Sequence, residues 1–311
     1  MSRIHEALKK AEQERAAVVT AEEIPSPSDS PSTAQGPTHE VSARDKDILA
    51  RTTVAAPPSG DYLRFEDLRT RCSHPEWHLD PNVNVFVNSQ LSPHGAEQFR
   101  TLRSRLYQMR NNQPLRTLLV TSSIPTEGKT FVTNNLAQAI VRQPDRRALI
   151  IDVDLRRSRL HVPLGAPSGP GITDYLRGEA DAISIVQQGP GDNLFFIPGG
   201  KEVTNPSELL ANGRLKLLLD RVKPLFDWVI LDSPPCLLVA DASVLADICD
   251  GILLVTRAGV TPAATAQRAS QELRGRNVVG VILNAVKTSH ANSSDYYYDY
   301  NHVYGDPKDQ E

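Results

Sequence analysis

The stretch "SSIPTEGKT", Ser122–Thr130, is the most informative about the fold, because it joins the apolar run "RTLLVT" to the helical pattern "FVTNNLAQAIVRQ". It matches the phosphate-loop pattern G-x-x-x-x-G-K-[ST] at Gly128, Lys129 and Thr130, and it has Ser123 at the first glycine position. A helix that begins in such a turn offers successive backbone N–H groups to phosphate oxygens. An ordinary strand-to-helix turn is the alternative, but the strand, turn and helix context favours a phosphate loop.

The loop supplies candidate ligands for a nucleotide and for Mg²⁺. Lys129 can reach the β and γ phosphates, and the hydroxyl of Thr130 can hold Mg²⁺. The predicted nucleotide-binding residues of the loop are Pro125, Thr126, Glu127, Gly128, Lys129 and Thr130.

Outward from this loop, short apolar runs alternate with helical stretches from about Pro93 onward. Continuous apolar strands separated by helices predict a doubly wound α/β fold with a mainly parallel sheet covered on both faces. Together with the loop, this pattern indicates a P-loop NTPase with deviant Walker motifs. Ligands of such sheets bind at the carboxyl ends of strands, so the chemistry is expected after Val120, Ile151 and Leu231.

Three carboxylates follow apolar strands at that edge. Asp152 and Asp154 end "LIIDVDL", and Asp232 ends "DWVILDSPP". Carboxylates that close a buried strand are costly unless a cation sits beside them, and Mg²⁺ would serve. The predicted metal ligands are Thr130, Asp152, Asp154 and Asp232, and the predicted catalytic residues are Lys129 and the same three aspartates. Ordinary acidic loops are the alternative for each aspartate taken singly.

Composition excludes several classes of protein. The chain has 311 residues and a net charge of -3, and a nucleic-acid partner would call for a basic stripe that is missing. Three widely spaced cysteines fit neither a disulfide framework nor a zinc site. The start "MSRIHEALKK" lacks a signal-peptide core, and charges interrupt the most apolar region. We therefore expect a soluble protein of the cytoplasm that reaches a membrane through a partner.

The chain divides into three parts. Residues 1–84 hold a short amphipathic helix at residues 2 to about 17 and a Pro/Ser-rich linker that is expected to be disordered. Residues 85–290 form the predicted P-loop domain. Residues 291–311 form a flexible tail, for which a sticky disordered end is the plainest interpretation. Its tyrosines are Tyr296, Tyr297, Tyr298, Tyr300 and Tyr304.

Taken together, these motifs resemble the bacterial tyrosine kinases of capsule and exopolysaccharide synthesis, or BY-kinases, a family with a phosphate-loop ATPase fold. The resemblance spans about Glu97 to Tyr304. The motifs that carry it are "EQFRTLR", "SSIPTEGKT", "LIIDVDLRRSRLH", "GITDYLRGE", "NPSELL", "DWVILDSPP", "ADASVLAD", "GVILNAV" and the tyrosine cluster. Their shared order along the chain makes the resemblance specific.

The resemblance implies a function and a set of roles. The function is that of an ATP- and Mg²⁺-dependent tyrosine autokinase that phosphorylates the tail tyrosines of a neighbouring subunit and regulates polymerisation and export of exopolysaccharide or capsule. It implies that Asp152 is the base for the incoming hydroxyl and that Asn284 contacts adenine, although a turn-capping asparagine is the alternative for Asn284. The helix residues Glu97, Arg100 and Arg103 correspond to the family's ring-forming E-x-x-R-x-x-R motif, although ordinary helix surface is the alternative.

The resemblance also implies partners. They are a homo-oligomeric ring, a cognate tyrosine phosphatase, and a separate transmembrane chain-length regulator that recruits the kinase to the inner face of the cytoplasmic membrane and activates it. No nucleic acid is expected.

Two residues depart from the family's pattern, and two other functions stay open. Thr126 stands where glycine is common, and it strains the loop if that position needs a positive φ. Ser158 replaces a frequent proline. A partitioning-type ATPase switch is one rival, but such proteins carry a signature lysine where this chain has Ile124. A nucleotide-binding scaffold with an aromatic docking tail is the other.

Overall fold

A computed structural model describes residues 63–87 and 93–286, which contain seven strands and nine helices. The strands are β1 (Thr117–Ser122), β2 (Ala148–Asp152), β3 (Gln187–Gln188), β4 (Leu194–Ile197), β5 (Trp228–Asp232), β6 (Gly251–Arg257) and β7 (Val278–Asn284). The helices are α1 (Phe65–Arg71), α2 (Pro93–Asn112), α3 (Lys129–Val141), α4 (His161–Leu164), α5 (Ile172–Arg177), α6 (Pro206–Ala211), α7 (Arg214–Val222), α8 (Asp241–Ala246) and α9 (Ala263–Glu272). The predicted N-terminal helix, most of the linker and the tyrosine tail lie outside the described residues.

The strands form one sheet in the order β3-β4-β2-β5-β1-β6-β7. All neighbouring pairs are parallel except β3 with β4 at one edge. The central strands β1, β2 and β5 are buried along their whole length, because helices cover both faces. The predicted doubly wound, mainly parallel α/β fold is confirmed, and the carboxyl ends of β1, β2 and β5 meet at one edge.

Each face of the sheet has its own apolar core. One core centres on Phe195, Phe226 and Leu231. The other holds Leu118, Leu136 and other residues of β1 and α3, together with the inner face of α2. On α2, Phe99 and Leu106 are buried, and the Phe99 ring meets that of Phe131 edge to face at 5.8 Å. Through these contacts α3, the helix that follows the phosphate loop, packs against the sheet.

The folded domain starts earlier than residue 85, where the sequence pattern placed its beginning. Leu68 and Trp77 are buried, and Asn84 is fully enclosed. The Asn84 side chain accepts from Asn134 Nδ2 of α3 at 2.6 Å and donates to the carbonyl of Pro163 at 2.7 Å. Hydrogen-bonded polar residues do not contribute to an apolar sequence pattern. The start of the domain was therefore predicted too far along the chain.

Other features also differ from the sequence pattern. The stretch "SELLANGRLKLLLDRV" reads as one helix but forms α6 and α7, because Gly213 takes a left-handed conformation with φ 80°. The short antiparallel strand β3 has no sequence signal. Cys72, Cys236 and Cys249 are free. Within residues 63–87 and 93–286, no helix combines the length and apolar character that crossing a bilayer requires.

Candidate active site

The phosphate loop connects β1 to α3, and Gly128 makes the turn possible. Gly128 precedes the first helical residue with φ 97°, a conformation that favours glycine. A side chain at this position would also collide with the amide of Asn284, which comes in from the end of β7. The left-handed backbone is therefore the main reason for glycine at this position, and the backbone N–H groups of the loop lie at the start of α3.

Thr126 has a positive φ of 65°. This is the conformation in which a residue other than glycine was expected to strain the loop. A left-handed conformation costs an ordinary residue about 1–2 kcal/mol, and a β-branched side chain is poorly suited to it. The Arg257 guanidinium donates to the Thr126 carbonyl at 3.2 Å and holds the turn from the end of β6. The loop thus stores strain at the residue where the family often has glycine.

Replacing Thr126 with glycine should stabilise the protein. Relief of the left-handed strain exceeds the extra backbone entropy that glycine loses on folding, which leaves a gain of about 0.5–1 kcal/mol. Thermal unfolding should then show a melting temperature about 1–4 °C higher. Thr126→Ala is the matched control and should gain less, because alanine keeps a Cβ. A melting temperature equal to or below that of the parent would contradict this account of the strain.

Glu127 plays a structural part in the loop that the sequence did not reveal. Its side chain is buried, and its Oε2 accepts from the backbone N–H of Ile124 at 2.8 Å. Its Oε1 accepts from the hydroxyl of Thr261, and its carbonyl accepts from Asn284 Nδ2 at 2.9 Å. Only the backbone of Glu127 is left for phosphate oxygens. The Asn284 amide braces the loop, and its predicted contact with adenine stays a prediction.

Sequence reasoning missed Arg257 and Thr261 as supports of the loop. Both follow the apolar part of β6, at the edge where ligands of parallel sheets bind, and that position was the available signal. Neither belongs to a motif, so their role emerges only when β6 lies beside β1.

The strand order brings the predicted carboxylates together. Asp152 on β2 and Asp232 on β5 are paired residues of neighbouring parallel strands. Thr130 donates its hydroxyl to Asp232 Oδ2 at 2.6 Å. The Lys129 side chain is 9% exposed at the start of α3, and its charge acts on both Asp232 and Asp154. The structure thus places all the predicted catalytic residues at the same carboxyl edge of the sheet.

The two innermost carboxyl groups resist ionisation. Burial raises the pKa of Asp232, and the neighbouring Asp152 carboxylate raises it further, while Lys129 and the Thr130 hydroxyl lower it in part. Burial likewise raises the pKa of Asp152, against hydrogen bonds from the Leu160 N–H and the Ser158 hydroxyl. Ionisation of both carboxyl groups would therefore place more negative charge in the site than its single lysine neutralises.

Ser158, the second departure from the family pattern, binds the predicted base. Its hydroxyl donates to Asp152 Oδ2 at 2.7 Å, and the Leu160 N–H donates to the same oxygen at 3.0 Å. Asp154 lies just beyond the end of β2, where its N–H donates to Asp152 Oδ1 at 3.2 Å. The segment after β2 therefore wraps around the Asp152 carboxylate, and proline at position 158 would lack the hydroxyl bond.

The donor set fits a partly hydrated Mg²⁺. Among the described residues, no three His, Cys, Asp or Glu side chains are arranged as a cage for a metal ion. Mg²⁺ bound with a nucleotide takes one or two carboxylates and completes its shell with water and phosphate oxygens. Such an ion would compensate the charges of Asp152 and Asp232 once they ionise, and the Thr130 hydroxyl lies beside Asp232 as a further oxygen donor.

The predicted oligomerisation residues lie on α2. Glu97 and Arg100 are exposed and form an ion pair at 2.9 Å. Arg103 instead donates to the carbonyl of Ala139 on α3 at 2.6 Å, so it serves packing within the domain. The five tail tyrosines lie outside the described residues.

Known proteins resemble this chain, although no family model matches it. The tyrosine-protein kinase Etk of Escherichia coli strain K12 is 32% identical over 243 residues, which are 76% of this chain and 33% of Etk. The tyrosine-protein kinase YwqD of Bacillus subtilis strain 168 is 31% identical over 216 residues, which are 69% of this chain and 91% of YwqD. The chain thus spans about a third of the length of Etk and nearly all of YwqD.

A solved structure resembles the described fold as well. The kinase domain of the Escherichia coli tyrosine kinase Etk aligns with a TM-score of 0.60 and 34% identity, over 63% of this chain and 77% of that one. The sequence comparisons and the structural comparison therefore both find bacterial tyrosine kinases as similar proteins.

Proposed function

Because the chain belongs to the bacterial tyrosine kinase family, we propose that it transfers the γ-phosphoryl group of ATP to tyrosine hydroxyls of its own C-terminal cluster, from one copy to another. The observation that carries this proposal is the meeting of the phosphate loop with Asp152 and Asp232 at one edge of the sheet. The tail, with five tyrosines in nine residues from Tyr296 to Tyr304, provides the acceptors.

The residues of the site have different roles in phosphoryl transfer. The N–H groups of the loop and the Lys129 ammonium hold the phosphates and balance their charge, which is the main requirement of this reaction. When bound, Mg²⁺ would neutralise phosphate charge, with Thr130 and Asp232 as its nearest protein groups. Asp152 accepts the proton of the tyrosine hydroxyl. Its raised pKa makes it a stronger base than an ordinary carboxylate.

We further propose the setting of this reaction. The kinase acts in the cytoplasm as a ring of copies, with the exposed pair Glu97 and Arg100 at the contact between neighbours. A separate transmembrane chain-length regulator recruits it to the membrane and activates it, and a tyrosine phosphatase reverses the modification. The cycle regulates polymerisation and export of exopolysaccharide or capsule. Several phosphates on one tail, each adding about -1.5 to -2 charge, repel one another and loosen the ring.

Incubation of the full chain with Mg-ATP tests the proposed activity. We expect phosphotyrosine that maps by mass spectrometry to the cluster from Tyr296 to Tyr304, while the buried Tyr175 stays unmodified. Release of phosphate without labelled tyrosine would favour an ATPase switch. Binding of ATP with neither product, with the regulator present, would favour a scaffold.

Mixing two variants tests transfer between copies. One copy carries Lys129→Met and keeps its tail, and the other is active but has phenylalanine at all five tail tyrosines. Label on the Lys129→Met copy is the expected result. If the Lys129→Met copy stays unlabelled in this mixture while the parent chain labels itself, transfer occurs within one chain.

A further inference from the structure

The segment that wraps around Asp152 carries a cluster of arginines. Arg157 and Arg159 flank Ser158, whose hydroxyl lies 2.7 Å from the Asp152 carboxylate. The Arg157 N–H also donates to Asp154 Oδ1 at 3.1 Å. The backbone between these two arginines is thus fixed to both carboxylates that follow β2, and both side chains are exposed at the rim of the site.

These two arginines differ from the other cations nearby. The neighbouring Arg156 is held by two hydrogen bonds to the buried Asp241, at 2.7 and 3.1 Å. Lys201, just beyond β4, lies within 3.4 Å of Asp174. Arg157 and Arg159 have no carboxylate within ion-pair distance anywhere in residues 63–87 and 93–286. Two exposed arginines without an ion-pair partner among the described residues therefore lie on the segment that wraps around the predicted base.

The tail has the complementary charge. Residues 295–311 contain five acidic residues against a single lysine. Asp295 directly precedes Tyr296, and Asp299 lies between Tyr298 and Tyr300. In an extended peptide, neighbouring residues are about 3.3 Å apart along the chain. Because successive side chains of an extended peptide point to opposite faces, a tyrosine that enters at Asp152 leaves its acidic neighbour directed outwards, where the long exposed side chains of the two arginines can reach it.

We propose that Arg157 and Arg159 recognise Asp295 and Asp299 in the tail of a second copy and so select the tyrosines next to them. This inference rests on the proposed kinase function. It implies an order of use: Tyr296, Tyr298 and Tyr300 each have an aspartate neighbour and are phosphorylated before Tyr304, whose nearest acidic residue is two positions away.

Steady-state kinetics with the tail as a separate substrate test this recognition. The enzyme is the full chain with phenylalanine at the five tail tyrosines, and the substrate is a synthetic peptide of residues 291–311. Adding Arg157→Ala and Arg159→Ala should raise the KM for the peptide about two- to tenfold, the range for two exposed ion pairs. The kcat and the KM for ATP should stay within twofold. Arg157→Lys with Arg159→Lys should restore most of the affinity.

The peptide supplies the other half of a double-mutant cycle. Asp295→Asn with Asp299→Asn in the peptide should raise its KM with the parent enzyme by a similar factor, and should add little with the double-alanine enzyme. The same peptide should lose the preference for Tyr296, Tyr298 and Tyr300. Added salt should weaken the parent reaction more than the variant one.

A matched control is Arg221→Ala. Arg221 is an exposed arginine near the end of α7, just before β5 begins, and so lies towards the opposite edge of the sheet. It should leave the KM for the peptide unchanged.

Three results would overturn the inference. An unchanged KM for the peptide in the double-alanine enzyme would show that the arginines do not bind the tail. A raised KM for ATP alone would assign them to the nucleotide. If the parent labels no peptide at all, the proposed function fails and this inference falls with it, whereas equal labelling by both enzymes contradicts the inference alone.

Discussion

Replacing Lys129 with methionine should lower the rate of tyrosine phosphorylation by about 100- to 1,000-fold, the usual loss when one charge-stabilising group is removed from a catalytic site. Methionine keeps the length and apolar stem of lysine but not its charge. The Lys129 side chain is almost enclosed at the start of α3, and its charge acts on both Asp154 and Asp232. Without the lysine charge, the carboxylates of Asp154 and Asp232 would repel the phosphates of ATP. The affinity for ATP should therefore fall as well.

Initial rates of tail phosphorylation and calorimetric ATP binding measure the two losses. Lys216→Met, at an exposed position of α7, is the matched control and should change neither quantity. If the Lys129→Met protein folds and its phosphorylation rate stays within tenfold of the parent, Lys129 is not a catalytic residue.

Replacing Asp232 with asparagine should have opposite effects on activity and stability. The carboxylate is buried beside Asp152 and accepts from Thr130 and Thr133. Asparagine keeps the shape and one acceptor oxygen but removes the charge that would hold Mg²⁺, so phosphorylation should fall about 100- to 1,000-fold. The same change removes an unfavourable buried charge, so the Mg²⁺-free protein should become more stable.

The sign of the stability effect follows from the raised pKa of Asp232. The folded protein holds a proton that the unfolded chain, with a carboxyl pKa of about 4, has already released. Stability of the Mg²⁺-free parent therefore falls as pH rises from about 4 towards neutrality, and it is fully present only below that range. The advantage of Asp232→Asn should be smallest near pH 4 and largest near pH 8.

Thermal unfolding across that pH range, with and without Mg-ATP, measures this effect. Near pH 8 we expect the Mg²⁺-free variant to melt at least 2 °C above the parent, since a gain of about 1 kcal/mol corresponds to about 2–4 °C in a domain of this size. Mg-ATP should raise the melting temperature of the parent more than that of the variant. Asp220→Asn, an exposed change on α7, is the control. If the variant melts below the parent at pH 8, the buried charge of Asp232 does not destabilise the folded protein.

Much of the site could be predicted because its signals are local. The order of β1, loop and α3 follows from a motif and two apolar periods, and the aspartates of β2 and β5 follow from where apolar runs end. Even the strain at Thr126 was foreseeable, since glycine is the residue suited to a positive φ. The start of the domain was not, because Asn84 is buried by hydrogen bonds that an apolar pattern does not record.

The α/β fold class, the phosphate loop and the strands that end in carboxylates all follow from local patterns in the sequence. Only the tertiary structure decided that Asp152 faces Asp232, that Glu127 turns inward to Thr261, and that Arg157 and Arg159 remain unpaired while Arg156 does not. The physical reason is distance along the chain. Residues of a motif are held together by local geometry, whereas these partners come from different strands and meet only when the sheet sets their order.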